Sequence, residues 1–177
     1  MSEATHQMHT SLSWVGPFFW PGYGSPTVPA VSSVYLWTVE SRHDEYPDGY
    51  FLYLAGETID ARYRHGQHTK SLRLGLWTIF DMEAMQHCER KEIWHVSDWK
   101  PHKKPGSPDE VKMIEAAGRR MMTDLRLFIA EIPDKRLSQR VEAVIIRACM
   151  TAQSHYAICQ IAGCTLRRVT RARHRSR

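Results

Sequence analysis

The chain has 177 residues, 42% of them hydrophobic and 24% charged, which suits one folded domain with a single core and argues against global disorder. No stretch approaches the roughly 18 consecutive apolar residues of a membrane-spanning helix. The N-terminus has no basic segment leading into an apolar one, so no secretory signal is expected and the expected compartment is the cytoplasm.

The formal charge of +5 sits at one end. The last thirteen residues, TLRRVTRARHRSR, hold six arginines and no acid, so the rest of the chain carries −1. Such a tail fits two roles: binding a phosphate backbone through Arg167, Arg168 and their neighbours, or a solvated terminus with no specific partner. Cys88, Cys149, Cys159 and Cys164 include no C-x-x-C pair. With no signal peptide they are expected as free thiols, and the Cys159, Cys164 and His155 spacing is too loose for a zinc site.

In chain order, residues 1–30 read as an irregular arm, because WVGPFFWPGYGSPTVPA is dense in Gly, Pro and aromatic residues. Its rings are apolar enough to pack onto the domain. Residues 33–40 are rich in β-branched and aromatic side chains and predict a strand. SRHDEYPDG predicts a polar turn, and residues 50–55 a second strand, so the pair reads as an antiparallel hairpin. Gly56 would end that strand and Thr58 would cap a helix starting near residue 59. Arg64 and His68, four residues apart, fall on one face of it, and Gly66 weakens it.

KEIWHVSDW, residues 91–99, predicts a third strand, and WKPHKKPGSP a basic loop holding Lys100, His102, Lys103 and Lys104. Ser107-Pro108-Asp109-Glu110 predicts a capped helix start with proline in the first turn. The inner face of this helix is Val111, Ile114, Ala117 and Met121. LRLFIAEI, residues 125–132, predicts another strand. Asp134 would cap a last helix whose apolar stripe is Leu137, Val141, Val144, Ile145 and Ala148, with Glu142 beside it. After residue 153 the pattern decays. The expected class is α+β, a small mainly antiparallel sheet flanked by helices, with an arm at 1–30, a domain at 31–153 and a basic tail at 154–177.

Four residues in this order carry chemistry: Tyr35 in the first strand, Arg64 and His68 in the helix, and Glu142 in the last helix. Each alone has a plain structural reading. A strand tyrosine packs, an i, i+4 Arg/His pair lies on a solvated face, and a glutamate beside an apolar stripe marks the polar edge of a helix. Together they resemble the GIY-YIG nuclease family over roughly residues 31–150. Ser33-Val34-Tyr35 stands for the first triplet and Leu54-Ala55-Gly56 for the second. Thr58, five intervening residues, Arg64, three more and His68 match the helical motif, and RLSQRVEAVIIRA supplies the late glutamate, Glu142. GPFFWP and the segment from Trp77 to Lys100 are also similar to small bacterial stand-alone members. Three positions depart from the pattern. Leu54 occupies the place of the second tyrosine, Ser33 that of the first glycine, and the chain has no asparagine. Tyr53, one place before Leu54, would face the other side of the sheet unless the strand is bulged.

The resemblance implies a metal-dependent endonuclease acting on DNA. In it Glu142 holds one Mg²⁺ or Mn²⁺, Arg64 stabilises the phosphate in the transition state, Tyr35 accepts the proton of the attacking water, and His68 orients it. The phenol, with an ordinary pKa near 10, is expected to be depressed by positive charge from Arg64 and the metal. Arg62 and His65 rank below Arg64 and His68, with His65 expected to be exposed. Lys100, Lys103 and Lys104 read either as backbone-phosphate contacts or as a solvated loop. Low sequence specificity is expected, or a partner protein that supplies the target. A catalytically reduced nucleic-acid-binding module on the same fold is the alternative, and an interaction protein that uses its aromatic arm is a third reading.

Overall fold

The computed structural model describes residues 11–19, 27–44, 47–95, 107–153, 158–162 and 165–169, with side chains up to residue 148. Its main sheet has six strands in the order β1-β6-β2-β3-β7-β8, with antiparallel pairing throughout. The strands are β1 (Val15–Phe18), β2 (Ser33–Glu40), β3 (Tyr50–Thr58), β6 (Leu125–Glu131), β7 (Ile158–Ala162) and β8 (Thr165–Val169). Among the described residues four helices accompany it: α1 (Ala61–Arg73), α2 (Met82–Gln86), α3 (Pro108–Asp124) and α4 (Lys135–Gln153). A separate two-stranded sheet pairs β4 (Ile79–Phe80) with β5 (Glu92–Trp94).

β2 is the centre. Every residue from Ser33 to Val39 is buried, because β3 and β6 flank the strand and helices cover both its faces. It therefore reads as a mostly apolar run, broken by the buried hydroxyls of Ser33 and Thr38, rather than an alternating one. Tyr35, Trp37 and Val39 point into a core shared with Leu72 of α1 and with Ile114, Met121 and Met122 of α3. Val34 and Leu36 point the other way, toward Ile145, Leu137 and Val141 of α4. Burying each such side chain contributes about 1.5–3 kcal/mol, so the central strand holds both helical layers. Where α1 and α3 cross, a Cβ on Gly118 would stand 2.7 Å from the Leu72 carbonyl oxygen, so only glycine permits that approach.

The capping chemistry agrees with expectation at two helices and differs at one. Ser107 accepts from the Glu110 amide at 3.2 Å, and Asp134 accepts from Arg136 and Leu137 at 2.7 and 3.0 Å. For α1 the cap is Asp60, which accepts from Tyr63 at 2.9 Å, while Thr58 belongs to β3 and its hydroxyl braces Asp60. β3 thus runs through Gly56 instead of ending there. Val144, expected on the apolar stripe of α4, is 67% exposed.

Three other readings change. The arm is not wholly irregular: β1 pairs with β6, and Trp14 is buried against the α4 side of the sheet. KEIWHVSDW yields only β5, which joins β4 outside the main sheet, and residues 96–99 lie outside the described residues. The C-terminal segment continues past α4 into the β7–β8 pair, which meets β3 at Tyr50. No helix among the described residues is long and apolar enough to cross a membrane.

Candidate active site

Tyr35 of β2 and the C-terminal end of β3, Gly56 to Thr58, define the neighbourhood. β2 and β3 align Tyr35 with Gly56 and Val34 with Glu57. Tyr35 lies flat over Gly56, where a Cβ would overlap its hydroxyl and Cζ. The absence of a side chain at Gly56 is what lets the phenol sit against the end of β3. That end is far from Tyr50, where β7 joins the strand.

α1 supplies the next two groups. Its i, i+4 spacing puts Arg64 and His68 on the face turned to Tyr35. His68 Nε2 and the Tyr35 hydroxyl are 2.8 Å apart, and Arg64 Nε donates to the same hydroxyl at 3.4 Å. Tyr35 and His68 are each 4% exposed, whereas Arg64 lies at the surface, where its Nη1 donates to Gln67 at 3.2 Å. Arg64 is thus the exposed partner of a buried phenol–imidazole pair, and the space between these side chains holds no water-sized gap.

Glu142 reaches the same place from the opposite helical layer. Its carboxylate accepts from the backbone amide of Glu57 and feels the charges of both Glu57 and Arg64. Burial and then the Glu57 carboxylate hold its pKa above the ordinary carboxylate range, against the pull of that amide and of Arg64. Tyr35, Arg64, His68 and Glu142 therefore share one electrostatic neighbourhood at the end of β3.

The Tyr35 pKa runs opposite to expectation. Burial raises it, and the hydrogen bond and charge of Arg64 lower it by less, while Glu142 and Glu57 add to the rise. The phenol is thus neutral, and its hydroxyl shares a hydrogen bond with His68 Nε2. His68 is neutral too, pushed down to about 3 by burial and by the nearby Arg64 and His65.

His65, expected at the surface, is 4% exposed and stacks on Trp37 with centroids 5.0 Å apart and planes 14° from parallel. Its pKa is lowered to about 4 by burial. Arg62 anchors the chain before β2 by donating to the Val28 carbonyl at 2.8 Å. Lys100, His102, Lys103 and Lys104 lie outside the described residues. Arg167 and Arg168 stand on β8, opposite Gln160 and Cys159 of β7.

The two buried histidines make stability pH-dependent. Both fold with a pKa below the 6.5 of the free side chain, so between pH 6.5 and about 4 the unfolded chain takes up protons that the folded chain refuses. Their contribution is complete above pH 6.5 and declines on acidification, by about 1.4 kcal/mol per pH unit for each histidine. Denaturant midpoints measured from pH 6.5 to 4.5 should fall steeply, and His65→Phe should remove about half of this slope. An unchanged slope in that variant would show that His65 does not titrate on unfolding.

The second motif position resolves through an irregularity. Between β2 and β3 the register passes from Trp37 opposite Leu54 to Thr38 opposite Leu52, so Tyr53 is an extra residue in a β-bulge. The bulge brings Tyr53 to the side of the sheet that carries Tyr35. Its hydroxyl, however, donates to the Thr78 carbonyl at 3.2 Å, and its ring meets Phe80 edge-on. Burial raises its pKa strongly, so it is a neutral packing residue.

Glu57 is the site residue that sequence reasoning passed over. Its only signal was its place next to Gly56, where strand alternation turns it toward the α4 layer. Among the described residues no cluster of three or more His, Cys, Asp or Glu side chains is present. The donors at hand are the carboxylates of Glu142 and Glu57. Hard oxygens of this kind suit Mg²⁺ or Mn²⁺, which keep several water ligands and need few protein ones. Comparison of the chain with known protein families, with curated proteins and with solved structures gives no match.

Proposed function

We propose that the protein is a metal-dependent endonuclease of the GIY-YIG type, hydrolysing DNA phosphodiester bonds at the end of β3. The single observation that carries this reading is the meeting of Tyr35, His68, Arg64 and Glu142, drawn from β2, α1 and α4, around a glycine that has room for nothing else. A tyrosine that only packs needs neither an arginine at its hydroxyl nor two carboxylates whose charge reaches it.

The chain's own groups divide the work. Arg64, exposed and permanently charged, binds non-bridging phosphate oxygens and holds the scissile group over Tyr35. In the tautomer whose Nε2 is unprotonated, His68 takes the phenolic proton as the Tyr35 oxygen takes one from the attacking water. The phenol stays neutral, the proton ends on the imidazole, and the negative charge of the bound phosphate raises that imidazole's basicity for the step. The water oxygen forms the new bond to phosphorus as the bond to the leaving oxygen breaks. Glu142, with Glu57 beside it, would hold the divalent ion, which when bound neutralises these carboxylates and stabilises the negative charge of the leaving group.

The test is nicking of supercoiled plasmid with Mg²⁺ or Mn²⁺. The wild type should nick, and Glu142→Gln should need about 10–100-fold more metal for the same rate. Identical nicking by the two proteins, in rate and in metal dependence, would show that the activity does not arise at this site and would remove the enzyme reading. Salt-sensitive DNA binding without nicking would instead favour the catalytically reduced module. The commitment of the Tyr53 hydroxyl to Thr78 is the observation that keeps that second reading in view.

A further inference from the structure

An open cleft of about 330 Å³ adjoins the candidate active site and takes no part in the chemistry above. Tyr53, Leu76, Trp77, Phe80 and Arg90 line it. It is the β3 bulge that turns Tyr53 toward this side. Trp77 forms a shared wall with the site, since its ring meets the His68 imidazole edge-on at 4.5 Å between centroids. Arg90 lies at the exposed rim with its guanidinium 4.9 Å above the Phe80 ring. Leu76 is 52% exposed.

Trp77 is only half-buried and Leu76 stands open to water, so with the Arg90 cation beside them the core leaves this apolar wall partly uncovered. Aromatic faces and a planar guanidinium are what a flat heterocycle stacks on. At about 330 Å³ the cleft is at the small end of the range for ligand sites, about 300–1,000 Å³, which fits one heterocycle. Its distance from the reacting groups is one side chain: Trp77 touches His68, and His68 bonds Tyr35.

We propose that this cleft binds a single unstacked nucleobase of the nucleic-acid substrate, next to the phosphate that is cut. The choice of a nucleobase rests on the nuclease reading. The consequence is a preference for sites where a base is free to leave the stack, at mismatches, single-stranded stretches or junctions. A fully paired site must break stacking first, at a cost of a few kcal/mol.

Binding is read separately from cleavage. In ¹H–¹⁵N spectra, titration with 2′-deoxyadenosine 5′-monophosphate should shift the Trp77 indole N–H and the Arg90 Nε–H in a saturable, millimolar-range manner. The Trp77 signal is identified by its loss in Trp77→Phe. Deoxyribose 5-phosphate, which has no base, should leave both unmoved. Leu76→Trp, which fills the cleft from an exposed position, should weaken nucleotide binding at least about tenfold, and Arg90→Ala about three- to tenfold.

Equal shifts with the base-free sugar, no shift at Trp77, or an unchanged titration in both variants would overturn the proposal. A wild type that nicks plasmid but shows no Trp77 shift loses the cleft alone. A wild type that binds the nucleotide at Trp77 but never nicks loses the nuclease reading and keeps the cleft.

Discussion

Tyr35→Phe is expected to slow metal-dependent plasmid nicking by about 10²–10⁴-fold, the range for loss of a positioned acid–base group. The substitution removes one oxygen and leaves the ring over Gly56. It leaves His68 Nε2 without its 2.8 Å partner and Arg64 without its contact at 3.4 Å. Losing a hydrogen bond from a buried imidazole costs about 1–3 kcal/mol, so the melting temperature should fall modestly while the rate collapses. Metal dependence should stay where it was, because Glu142 and Glu57 are untouched. Residual nicking within about threefold of wild type would mean that Tyr35 only packs.

Gly56→Ala is expected to act on both stability and rate. The new methyl group would occupy the position of the Tyr35 hydroxyl and Cζ. Tyr35 is 4% exposed, and its bonds to His68 and Arg64 fix where its hydroxyl stands. Neither backbone nor ring can give way cheaply, and overpacking of this kind costs about 1–3 kcal/mol. For a chain of this length each kcal/mol lowers the melting temperature by about 2–4 °C. The rate should drop about 100-fold or more, because even a 1 Å displacement of a reacting group has that effect. Gly66→Ala is the control: nothing stands within 4 Å of its Cβ, and it lies inside α1. That change should stabilise the helix by about 0.5–1 kcal/mol with no loss of rate. If Gly56→Ala melts like the wild type and nicks normally, the close approach of Tyr35 is not a constraint on the site.

The elements legible in the sequence are those whose signal is local. Asp134 and Ser107 mark helix starts through a side-chain oxygen placed two or three residues before the amides it accepts from. β2, β3 and β6 declare themselves by β-branched and aromatic runs. The spacing from Thr58 to Arg64 and His68 is also local, and one helical face follows from it. Elements with no local signal were misjudged. β1 lies in a Gly- and Pro-rich arm and exists because it adds to the edge of β6. β5 is expected as a strand, but that it joins β4 rather than the main sheet has no local signal. His65 reads as an exposed helix residue until Trp37 of β2 is placed beneath it.

The sequence by itself determined the α+β class, the central hairpin, the caps of α3 and α4 and the order of the four chemical residues, since periodicity, capping and spacing act over a few residues. Tertiary structure decided the rest. Whether Tyr53 turns inward depends on a bulge in the pairing with β2, and a pairing register involves two strands at once. That Glu142, 107 positions from Tyr35, acts on its ionisation, that Glu57 joins it, and that burial holds Tyr35 neutral all depend on how α4 and α1 close on opposite faces of one sheet. A pKa is set by the charges and solvent that surround a group in space, and only the packed chain fixes those.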